Sequence, residues 1–535
     1  MTMRQNRIII VGAVFYAVMV SALRAQPLSL QPTKLTVPEK YTRQYRSSST
    51  ITVPDSVRLP EGFRINVFHA GMMKPRFFAW NPRGVLHIVD MSAEAVFALP
   101  DRDGDGVADT AYVAAAPVQE AHNVVFALGA MFVTEPTRVL KFLDRDGDGV
   151  YETRSVFIDS IPNGGVFNHY TRTLLFDSTH NAFYLSVGAP CDACRADDPE
   201  RAAILRFNAD GTGRRIFATG LRNAIGMTIE PATGQLWATN ADRNGLGEDK
   251  PEEIVSRVPD GSFHGWPIAF SVSAGKEEPR KEWTNFQANA DYRAMLPLSR
   301  ADSSRVAAMH IAEAFLPAHS TPMGIEFYSG SLLPPYYRNA AFVAVHGSYS
   351  TDSRKVAVGY NVALVRLDEA SGQYRTQDFL NGFLTDSLTY KHWGRPCGIG
   401  FSPNGDMYVS SDGAIGALYR VSFTSPLTAA RLSSSAGSDF PSLVFPQSAA
   451  PSDALWLDFV APISGNLSCT VYDVRGANVA EYSMTVRAGK CTLRLNDRFS
   501  LRKPLVLAAE AYLYRLTLAD GAQIFTSRGM FLVSR

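Results

Sequence analysis

Leu86-His87-Ile88-Val89 is the first of six short apolar segments that recur along residues 82–410. The other five are Met131-Phe132-Val133, Phe183-Tyr184-Leu185, Leu236-Trp237-Ala238, Phe342-Val343-Ala344-Val345 and Met407-Tyr408-Val409. The first four begin roughly 50 residues apart, a period typical of β-propeller blades. We therefore predict an all-β protein built around a six-bladed β-propeller, with unrelated β arrays of similar spacing as the alternative.

The residues that directly follow these apolar segments are mostly polar. They are Asp90, Glu135, Gly188, Asn240, His346 and Ser411. A propeller gathers the loops after its inner strands around one central channel, so this set indicates a functional site at the channel mouth. The alternative interpretation is that polar residues simply cap strand ends, as they do in most β proteins.

The N-terminus has the pattern of a secretory signal peptide. Arg4 and Arg7 precede an apolar run over residues 8–23, and Ala25 offers a small residue for cleavage. We predict a signal peptide over residues 1–25 and a secreted or cell-surface protein, with an uncleaved anchor as the alternative. The 52 basic and 51 acidic side chains nearly balance, which predicts no nucleic-acid partner.

Composition divides the rest of the chain into four segments. Residues 26–57 are rich in Ser, Thr and Pro and form an extended lead-in, and residues 58–424 contain the repeats. Residues 425–451 form a Ser-rich linker. Residues 452–535 alternate apolar and polar side chains between turn signals, which predicts a small C-terminal β-sandwich. The long gap between the fourth and fifth apolar segments predicts an inserted excursion over residues 271–312.

The chain has five cysteines, which is few for an exported protein. Cys191 and Cys194 form a Cys-x-x-Cys pair without a following His, which excludes the usual haem-attachment motif. In an oxidising compartment we expect a local disulfide between them. Cys469 and Cys491 lie on two candidate strands and could form a second disulfide, which leaves Cys397 unpaired.

Two segments repeat the same acidic pattern, Asp101-Arg-Asp-Gly-Asp-Gly106 and Asp144-Arg-Asp-Gly-Asp-Gly149. Carboxylates at every second position can converge on a hard cation such as Ca²⁺, and glycine permits the sharp turn. Neither loop is an EF-hand, because Tyr112 and Ser155 occupy the position of its bidentate glutamate. Structural Ca²⁺ sites and solvated β-turns are the two interpretations. The donors expected for Ca²⁺ are Asp101, Asp103, Asp105, Asp109, Asp144, Asp146, Asp148 and Glu152.

Histidines and arginines cluster at the predicted blade ends. The clusters include Asn168-His169-Tyr170-Thr171-Arg172, Leu221-Arg222-Asn223, His319-Ser320, His346-Gly347-Ser348 and Trp393-Gly394-Arg395. A histidine can act as a general base near neutral pH, and several arginines suit a ligand with multiple carboxylates. Taken singly, each residue has a structural interpretation, and the clustering is what indicates a site.

These segments, in this order, resemble the soluble glucose/sorbosone dehydrogenase family. The most specific matches are His169-Tyr-Thr-Arg-Thr-Leu-Leu-Phe176, Ser186-Val-Gly-Ala-Pro-Cys-Asp-Ala-Cys194, Ala218-Thr-Gly-Leu-Arg-Asn223 and Trp393-Gly-Arg-Pro396. The resemblance covers roughly residues 58–424. It implies a six-bladed propeller that uses pyrroloquinoline quinone (PQQ) with Ca²⁺ and oxidises a sugar or an aldehyde.

The resemblance also places the family's functional residues on this chain. It implies that His169 is the catalytic base and that Arg172 acts beside it. The residues expected to hold the carboxylates and quinone oxygens of PQQ are Arg172, Arg222, Asn223 and Arg395, with His319 and His346 in the same site.

The resemblance assigns the Ca²⁺ of the cofactor to one short segment. Carbonyls or side chains of Asp242 and Arg243 are expected to hold it. Since the chain has no haem-attachment motif, the electron acceptor is expected to be a separate molecule.

The C-terminal segment resembles a type IX secretion sorting domain. The matching features are Val471-Tyr-Asp-Val-Arg-Gly476, Arg487-Ala-Gly-Lys490 and the final hairpin around Tyr512-Leu-Tyr-Arg515. This resemblance implies an address read by outer-membrane secretion machinery, with no catalytic role.

Two alternative functions come from other classes. A lactonase-like metal-dependent hydrolase needs a cation site in the channel, and Glu135, Asn240 and Asp90 would supply it. A non-catalytic carbohydrate-binding propeller would instead stack sugars on exposed aromatic rings. The aromatic residues near the excursion are Trp266, Trp283 and Tyr292.

Overall fold

The computed structural model describes most of the chain from residue 53 onward. The described residues are 33–34, 53–165, 168–273, 279–283, 298–349, 355–413, 416–423, 456–461, 464–473, 478–494, 511–519 and 524–532. They belong to two compact units, Met1–Phe423 and Thr424–Arg535.

Antiparallel β-strands account for nearly all regular structure in the first unit. In chain order they are β1 (Thr33–Lys34), β2 (Phe63–Met72), β3 (Pro75–Trp80), β4 (Leu86–Asp90), β5 (Ala95–Leu99), β6 (Tyr112–Ala115), β7 (Val124–Ala127), β8 (Ala130–Thr134), β9 (Val139–Leu143), β10 (Thr153–Ile158), β11 (Leu174–Asp177), β12 (Ala182–Val187), β13 (Ala203–Asn208), β14 (Arg215–Thr219), β15 (Met227–Ile229), β16 (Leu236–Asn240), β17 (Glu253–Arg257), β18 (Ala269–Val272), β19 (Arg280–Trp283), β20 (Ala314–Leu316), β21 (Pro322–Phe327), β22 (Ala341–Val345), β23 (Asn361–Asp368), β24 (Gln373–Leu380), β25 (Leu384–Asp386), β26 (Lys391–His392), β27 (Pro396–Phe401), β28 (Met407–Ser411) and β29 (Gly416–Phe423). Helix α1 (Arg300–Ala307) and a 3₁₀ turn (Pro335–Tyr337) are interspersed among them.

Hydrogen bonds join most of these strands into six sheets. Four neighbouring strands of each sheet form a unit that we call a blade, and the blades are numbered 1 to 6. They are blade 1 (β3-β4-β5-β6), blade 2 (β7-β8-β9-β10), blade 3 (β11-β12-β13-β14), blade 4 (β15-β16-β17-β20), blade 5 (β21-β22-β23-β24) and blade 6 (β27-β28-β29-β2). Strand β1 extends blade 2, and β18–β19 and β25–β26 form separate hairpins. Blade 6 takes its outer strand from the start of the unit, since β2 pairs with β29 from Phe63 opposite Phe423 to Met72 opposite Gly416.

The first strands of successive blades contact one another in a ring, in the order β3, β7, β11, β15, β21, β27 and back to β3. Apolar side chains fill the interfaces between neighbouring blades. Phe132 and Phe183 have ring centroids 5.0 Å apart between blades 2 and 3, and Trp237 and Phe327 have centroids 5.5 Å apart between blades 4 and 5. The predicted six-bladed propeller is therefore confirmed.

The six apolar segments of the sequence are the second strands of the blades, not the inner ones. They lie in β4, β8, β12, β16, β22 and β28. The first strands of the blades are the inner strands, and they lie close together around the ring. At some positions there is no room for a Cβ atom, so only glycine fits. A Cβ atom on Gly226 would lie 2.0 Å from the carbonyl oxygen of Met323, and one on Gly324 would lie 2.9 Å from that of Cys397. Such small residues interrupt the apolar pattern of the inner strands.

Between β17 and β20 the chain leaves blade 4 and returns to it. The described part of this excursion contains the hairpin β18–β19 and helix α1. Helix α1 begins with a capping box, because the Ser299 hydroxyl accepts from the Asp302 N–H and the Asp302 carboxylate accepts from the Ser299 N–H.

The described residues of the second unit form two antiparallel sheets, as the predicted β-sandwich requires. Its strands are β30 (Trp456–Ala461), β31 (Gly465–Asp473), β32 (Asn478–Val486), β33 (Gly489–Arg494), β34 (Ala511–Ala519) and β35 (Ile524–Leu532). The sheets are β30-β33 and β32-β31-β34-β35.

One of the two predicted disulfides is present. Cys191 and Cys194 are bonded, as expected. The predicted bridge between Cys469 and Cys491 is wrong, because Cys469 is a free, buried thiol on β31 and Cys491 lies on β33 of the other sheet. Burial raises the pKa of the Cys469 thiol to about 12. Cys397 is unpaired, as predicted, and it is buried.

Several predictions concern segments outside the described residues. These are the signal peptide over residues 1–25, most of the lead-in over residues 26–57, the linker over residues 425–451, and Tyr292. Within the described part of the chain, no helix combines the length and the apolar character that crossing a membrane requires.

Blades 4 and 5 share a partly buried carboxyl group that should make stability depend on pH. Glu326 on β21 accepts a hydrogen bond from the Thr228 hydroxyl on β15 (3.2 Å), and burial raises the pKa of Glu326 to about 7 from 4.5. The contribution of Glu326 to the free energy of unfolding is therefore greatest below pH 4.5 and decreases as pH rises through 7.

We predict that Glu326→Gln loses less stability than the wild type between pH 5 and pH 8, by a difference on the order of 1 kcal/mol. Urea unfolding at several pH values measures this. Glu61→Gln, at an exposed glutamate, is the control and should follow the wild type. Parallel pH profiles for the wild type and Glu326→Gln would contradict the prediction.

Candidate functional site

One end of the propeller carries a cavity of about 440 Å³. Because the strands are antiparallel, the loop before each first strand and the loop after each second strand meet at this end. These loops supply nearly all of the lining, which comes from blades 1, 3, 4 and 5. The lining residues are Lys74, Arg76, Asn168, His169, Tyr170, Thr171, Arg222, Asn223, Ile225, Ala241, Asp242, Asn244, Glu253, His319, Thr321, Met323, His346 and Tyr349.

His169 lines the cavity with a neutral ring. Its Nδ1 lies 3.0 Å from the carbonyl oxygen of Ala189, and since a carbonyl only accepts, Nδ1 carries the proton. Burial, reinforced by the nearby Arg222 guanidinium, lowers the pKa of His169 to about 3. The ring is therefore neutral at ordinary pH, with an unprotonated Nε2 suited to accept a proton.

Two buried arginines hold the loop that carries His169. The Arg172 guanidinium donates to the carbonyl oxygens of His169 (2.7 Å) and Pro162 (2.7 Å). Arg201 donates to the Asn168 side chain (2.7 Å). Arg172, predicted to act beside the base and to bind PQQ, is therefore placed outside the cavity lining, where its contacts are with the chain itself.

Arg222 and Asn223 lie on the cavity wall as the sequence predicts. The Arg222 guanidinium donates from Nη2 to the Asp192 carboxylate (2.7 Å) and from Nε to the Asp192 carbonyl (3.0 Å). The backbone N–H of Asn223 donates to the Asn240 side chain (2.9 Å), which fixes the loop before β15.

Blade 4 brings two carboxyl groups together beside Arg222. The backbone N–H of Asp242 donates to the Glu253 carboxylate (2.6 Å), and both side chains are buried on the cavity wall. Burial raises the pKa of Asp242 to about 6, and burial together with the Asp242 charge raises that of Glu253 to about 8. Two buried carboxyl groups facing a polar cavity form an oxygen-rich site suited to a hard cation. Arg243, predicted with Asp242, does not line the cavity.

Three further residues of the cavity wall were not predicted from the sequence, namely Glu253, Lys74 and Arg76. Glu253 begins β17 and Lys74 directly precedes β3, so neither follows an apolar segment. Burial and the adjacent Arg76 charge lower the pKa of Lys74. Acidic or basic residues at strand starts were the available signal, but this signal is also common in ordinary sheets.

His346 lines the cavity, and its carbonyl oxygen accepts a hydrogen bond from Arg395 Nε (3.1 Å). His346 Nε2 lies 2.6 Å from the Asp412 carboxylate, which also forms an ion pair with Arg76 (3.0 Å). Burial lowers the pKa of His346 to about 4 despite the Asp412 charge. Arg395 does not line the cavity. It donates to the carbonyl oxygen of Gly347 (2.6 Å) and lies over the Tyr349 ring, 4.3 Å from its centroid.

His319 lines the cavity with both ring nitrogens engaged. Nδ1 lies 3.1 Å from the Asn244 side-chain oxygen, and Nε2 lies 2.8 Å from the Gly247 carbonyl oxygen. The ring thus braces the loop after β16 against blade 5.

Most polar residues after the second strands cap loops, as the structural interpretation of that pattern expects. Asp90 accepts from the N–H of Met73 (2.7 Å) and Lys74 (3.0 Å), and Glu135 accepts from that of Gln119 (2.7 Å). Ser411 accepts from the N–H of Arg395 in the same way (2.8 Å).

This capping removes the support for the hydrolase alternative. Asp90 and Glu135 do not line the cavity, and the Asn240 side chain is bonded to the N–H of Asn223. The aromatic residues of the binding alternative do not form one exposed surface, because Trp266 is buried whereas Trp283 on β19 is exposed.

The two acidic loops lie at the opposite end of their blades from the cavity. Each connects the third and fourth strands of its blade, β5–β6 in blade 1 and β9–β10 in blade 2. In each loop three carboxylates have oxygens within 4.8 Å of one another. The triplets are Asp101, Asp103 and Asp105 in one loop and Asp144, Asp146 and Glu152 in the other.

A family model described as TrAA12-like matches residues 57–423, which is the whole propeller and more than half of the chain. The chain belongs to the TrAA12-like family. An uncharacterised protein of Borreliella burgdorferi is 24% identical over 367 residues, covering 66% of this chain and 88% of that protein.

Two solved structures show the same fold as the propeller. A Trichoderma reesei enzyme of carbohydrate-active enzyme family AA12, in an iodide structure, is 18% identical with a TM-score of 0.57, covering 69% of this chain and 97% of that one. The PQQ domain of a Coprinopsis cinerea pyranose dehydrogenase, in its holo form, is 20% identical with a TM-score of 0.54, covering 68% and 97%.

We predict that Glu253→Gln weakens Ca²⁺ binding at the cavity at least tenfold. Because the pKa values of Asp242 and Glu253 are raised to about 6 and about 8, protons compete with the cation, and wild-type affinity should fall as pH is lowered from 8 to 6. Calorimetric Ca²⁺ titration at both pH values measures this.

The matched control is Glu252→Gln, the adjacent glutamate, which accepts from Ser273 instead of lining the cavity. It should retain the wild-type affinity and pH dependence. Equal Ca²⁺ binding by Glu253→Gln and the wild type would exclude the carboxyl pair as a cation site.

Proposed function

We propose that this protein is an oxidoreductase that oxidises an aldose sugar or a related aldehyde with PQQ and Ca²⁺. The observation that carries the proposal is His169, whose Nε2 is unprotonated and which lines a cavity shared with Arg222 and the Asp242–Glu253 carboxyl pair. Membership of the TrAA12-like family supports it. So does the fold shared with the PQQ domain of pyranose dehydrogenase.

The cavity side chains fit an anionic cofactor accompanied by a cation. Lys74, Arg76 and Arg222 place positive charge on the walls of blades 1 and 4, and guanidinium groups bind carboxylates well. Asp242 and Glu253 would hold Ca²⁺ beside Arg222. The volume of about 440 Å³ lies within the range of roughly 300–1,000 Å³ common for small-molecule sites.

His169 would act as the general base in this reaction. Its Nε2 would take the proton from the substrate hydroxyl as the C–H hydride leaves the same carbon, while the Ala189 carbonyl keeps the ring in the required tautomer. Bound PQQ would supply the hydride acceptor, and Ca²⁺ would polarise its carbonyl oxygens. Arg172 would position His169 by holding the backbone of its loop.

We predict that His169→Ala lowers sugar-dependent dye reduction by about 10²–10⁴-fold in protein reconstituted with PQQ and Ca²⁺, because the proton acceptor is lost. PQQ affinity, measured by fluorescence titration without substrate, should change only a few-fold. A panel of aldoses and aldehydes would identify the preferred substrate.

His180→Ala is the matched control, because this largely exposed histidine lies on the β11–β12 turn at the other end of blade 3. It should keep wild-type activity. PQQ binding without sugar oxidation would favour a binding function, and no PQQ binding with Ca²⁺ present would refute the proposal.

We also propose that the two acidic loops hold structural Ca²⁺. The proposal is supported by the converging carboxylates of each loop and by glycines with positive φ at their turns, Gly104 and Gly147.

Asp103→Asn combined with Asp146→Asn should lower the Ca²⁺ stoichiometry by two and leave PQQ binding unchanged. An unchanged stoichiometry would identify the loops as hydrogen-bonded turns.

We also propose that the protein is exported and works outside the cytoplasm. The basic and apolar pattern of residues 1–25 supports export, and the likeness of residues 452–535 to a sorting domain supports passage through outer-membrane secretion machinery. Its partners would then be a small sugar or aldehyde and an external electron acceptor.

A further inference from the structure

We propose that Asp192, held by the Cys191–Cys194 disulfide, positions Arg222 for the carboxylates of the cofactor, so that reducing this disulfide weakens cofactor binding. The inference rests on the proposed function, since it takes PQQ as the ligand of Arg222. It assigns a role to a segment of blade 3 that does not itself line the cavity.

Asp192 contacts two nitrogen atoms of the Arg222 guanidinium. Its carboxylate Oδ1 accepts from Nη2 (2.7 Å), and its carbonyl oxygen accepts from Nε (3.0 Å). The carbonyl oxygen of Ala241 accepts from Nη1 (3.3 Å). These three bonds fix the guanidinium plane and use three of its five N–H groups, which leaves two for a ligand in the cavity.

Asp192 is in turn fixed by groups from two other segments. Its Oδ1 accepts from the backbone N–H of Asn244 (3.0 Å) and from the Asn244 side chain (3.3 Å), on the loop after β16. Its carbonyl oxygen accepts from the Trp266 indole N–H (2.9 Å). Asp192 therefore joins the wall residue Arg222 to the segment that carries the carboxyl pair.

The disulfide encloses Asp192 in a ring of four residues. Its two cysteines are half-buried and pack beside Trp266, with Cα atoms 6.2 Å apart. This crosslink limits the backbone conformations in which both the carbonyl and the carboxylate of Asp192 reach Arg222. Because both cysteines are partly exposed, we expect a dithiol to reach the disulfide.

Arg195 lies just past the disulfide and pairs with helix α1. Its guanidinium donates to the Asp302 carboxylate of helix α1 at 3.2 Å and 2.8 Å. Arg195→Ala thus removes a contact of the same loop without touching Asp192 or Arg222. It is the matched control for a general loosening of this loop.

The first test measures the dissociation constant of PQQ with Ca²⁺ present, by quenching of tryptophan fluorescence in the full chain. Asp192→Ala should weaken PQQ binding about tenfold. Asp192→Asn keeps an oxygen that can accept from Arg222 and Asn244, so it should restore affinity to within a few-fold of the wild type. Arg195→Ala should also stay within a few-fold.

The second test reduces the disulfide with dithiothreitol. The dithiol gives up two electrons and two protons, becomes a cyclic disulfide, and leaves Cys191 and Cys194 as thiols. Excess reagent is removed under anaerobic conditions before PQQ is added, because quinones oxidise thiols. Reduced wild type and the double variant Cys191→Ser, Cys194→Ser should bind PQQ about tenfold more weakly than the oxidised wild type.

The outcomes separate this inference from the proposed function. If the wild type binds PQQ and Asp192→Ala, the serine double variant and the reduced protein all bind it equally well, the inference is overturned. The same holds if Asp192→Asn binds as weakly as Asp192→Ala. If Asp192→Ala does not fold, the comparison of reduced and oxidised wild type decides. Failure of the oxidised wild type to bind PQQ refutes the proposed function itself.

Discussion

The closure of the propeller by β2 and β29 is the constraint on which the rest of the first unit depends. The strand that begins the repeat region supplies the outer strand of the last blade, so the ring of inner strands closes on itself. Closure leaves the sheet array without a free end and gathers the loops of distant blades around one mouth. The loop entropy of joining segments more than 300 residues apart grows only slowly with length, and eight paired residues between β2 and β29 offset it.

A second set of interactions turns this mouth into a defined cavity. Side chains at the ends of second strands accept hydrogen bonds from the backbone of loops that enter the first strands, as Asp90, Glu135, Asn240 and Ser411 do. Arg172 adds a similar restraint through carbonyl oxygens. The polar residues that recur after the apolar segments therefore stabilise the loops around the cavity. The residues proposed to carry out the chemistry are neighbours that these hydrogen bonds hold in position.

The electrostatics of the cavity are arranged by burial and by opposite charges on adjacent blades. His169 is kept neutral by burial and by Arg222, while Asp242 and Glu253 share a buried position where a cation would relieve the cost of ionising both. Asp192 and Asp412 each compensate an arginine of the wall. A cavity with separate basic, cationic and carboxyl regions suits a charged cofactor and a proton transfer better than an uncharged ligand.

The sequence by itself determined the number of blades and the all-β class. It also indicated which residues lie at the mouth of the propeller, namely His169, Arg222, Asn223, Asp242, His319 and His346. Strand periodicity and turn residues are properties of neighbouring positions in the chain, so they can be recognised in the sequence alone. The tertiary structure decided which residues face the cavity. Lys74, Arg76 and Glu253 come from strand starts on blades 1 and 4, and Arg172 and Arg395 turn towards backbone carbonyls. Side-chain direction depends on the folded path of the loops, within one blade for Arg172 and between blades for Arg395, so the sequence pattern does not record it.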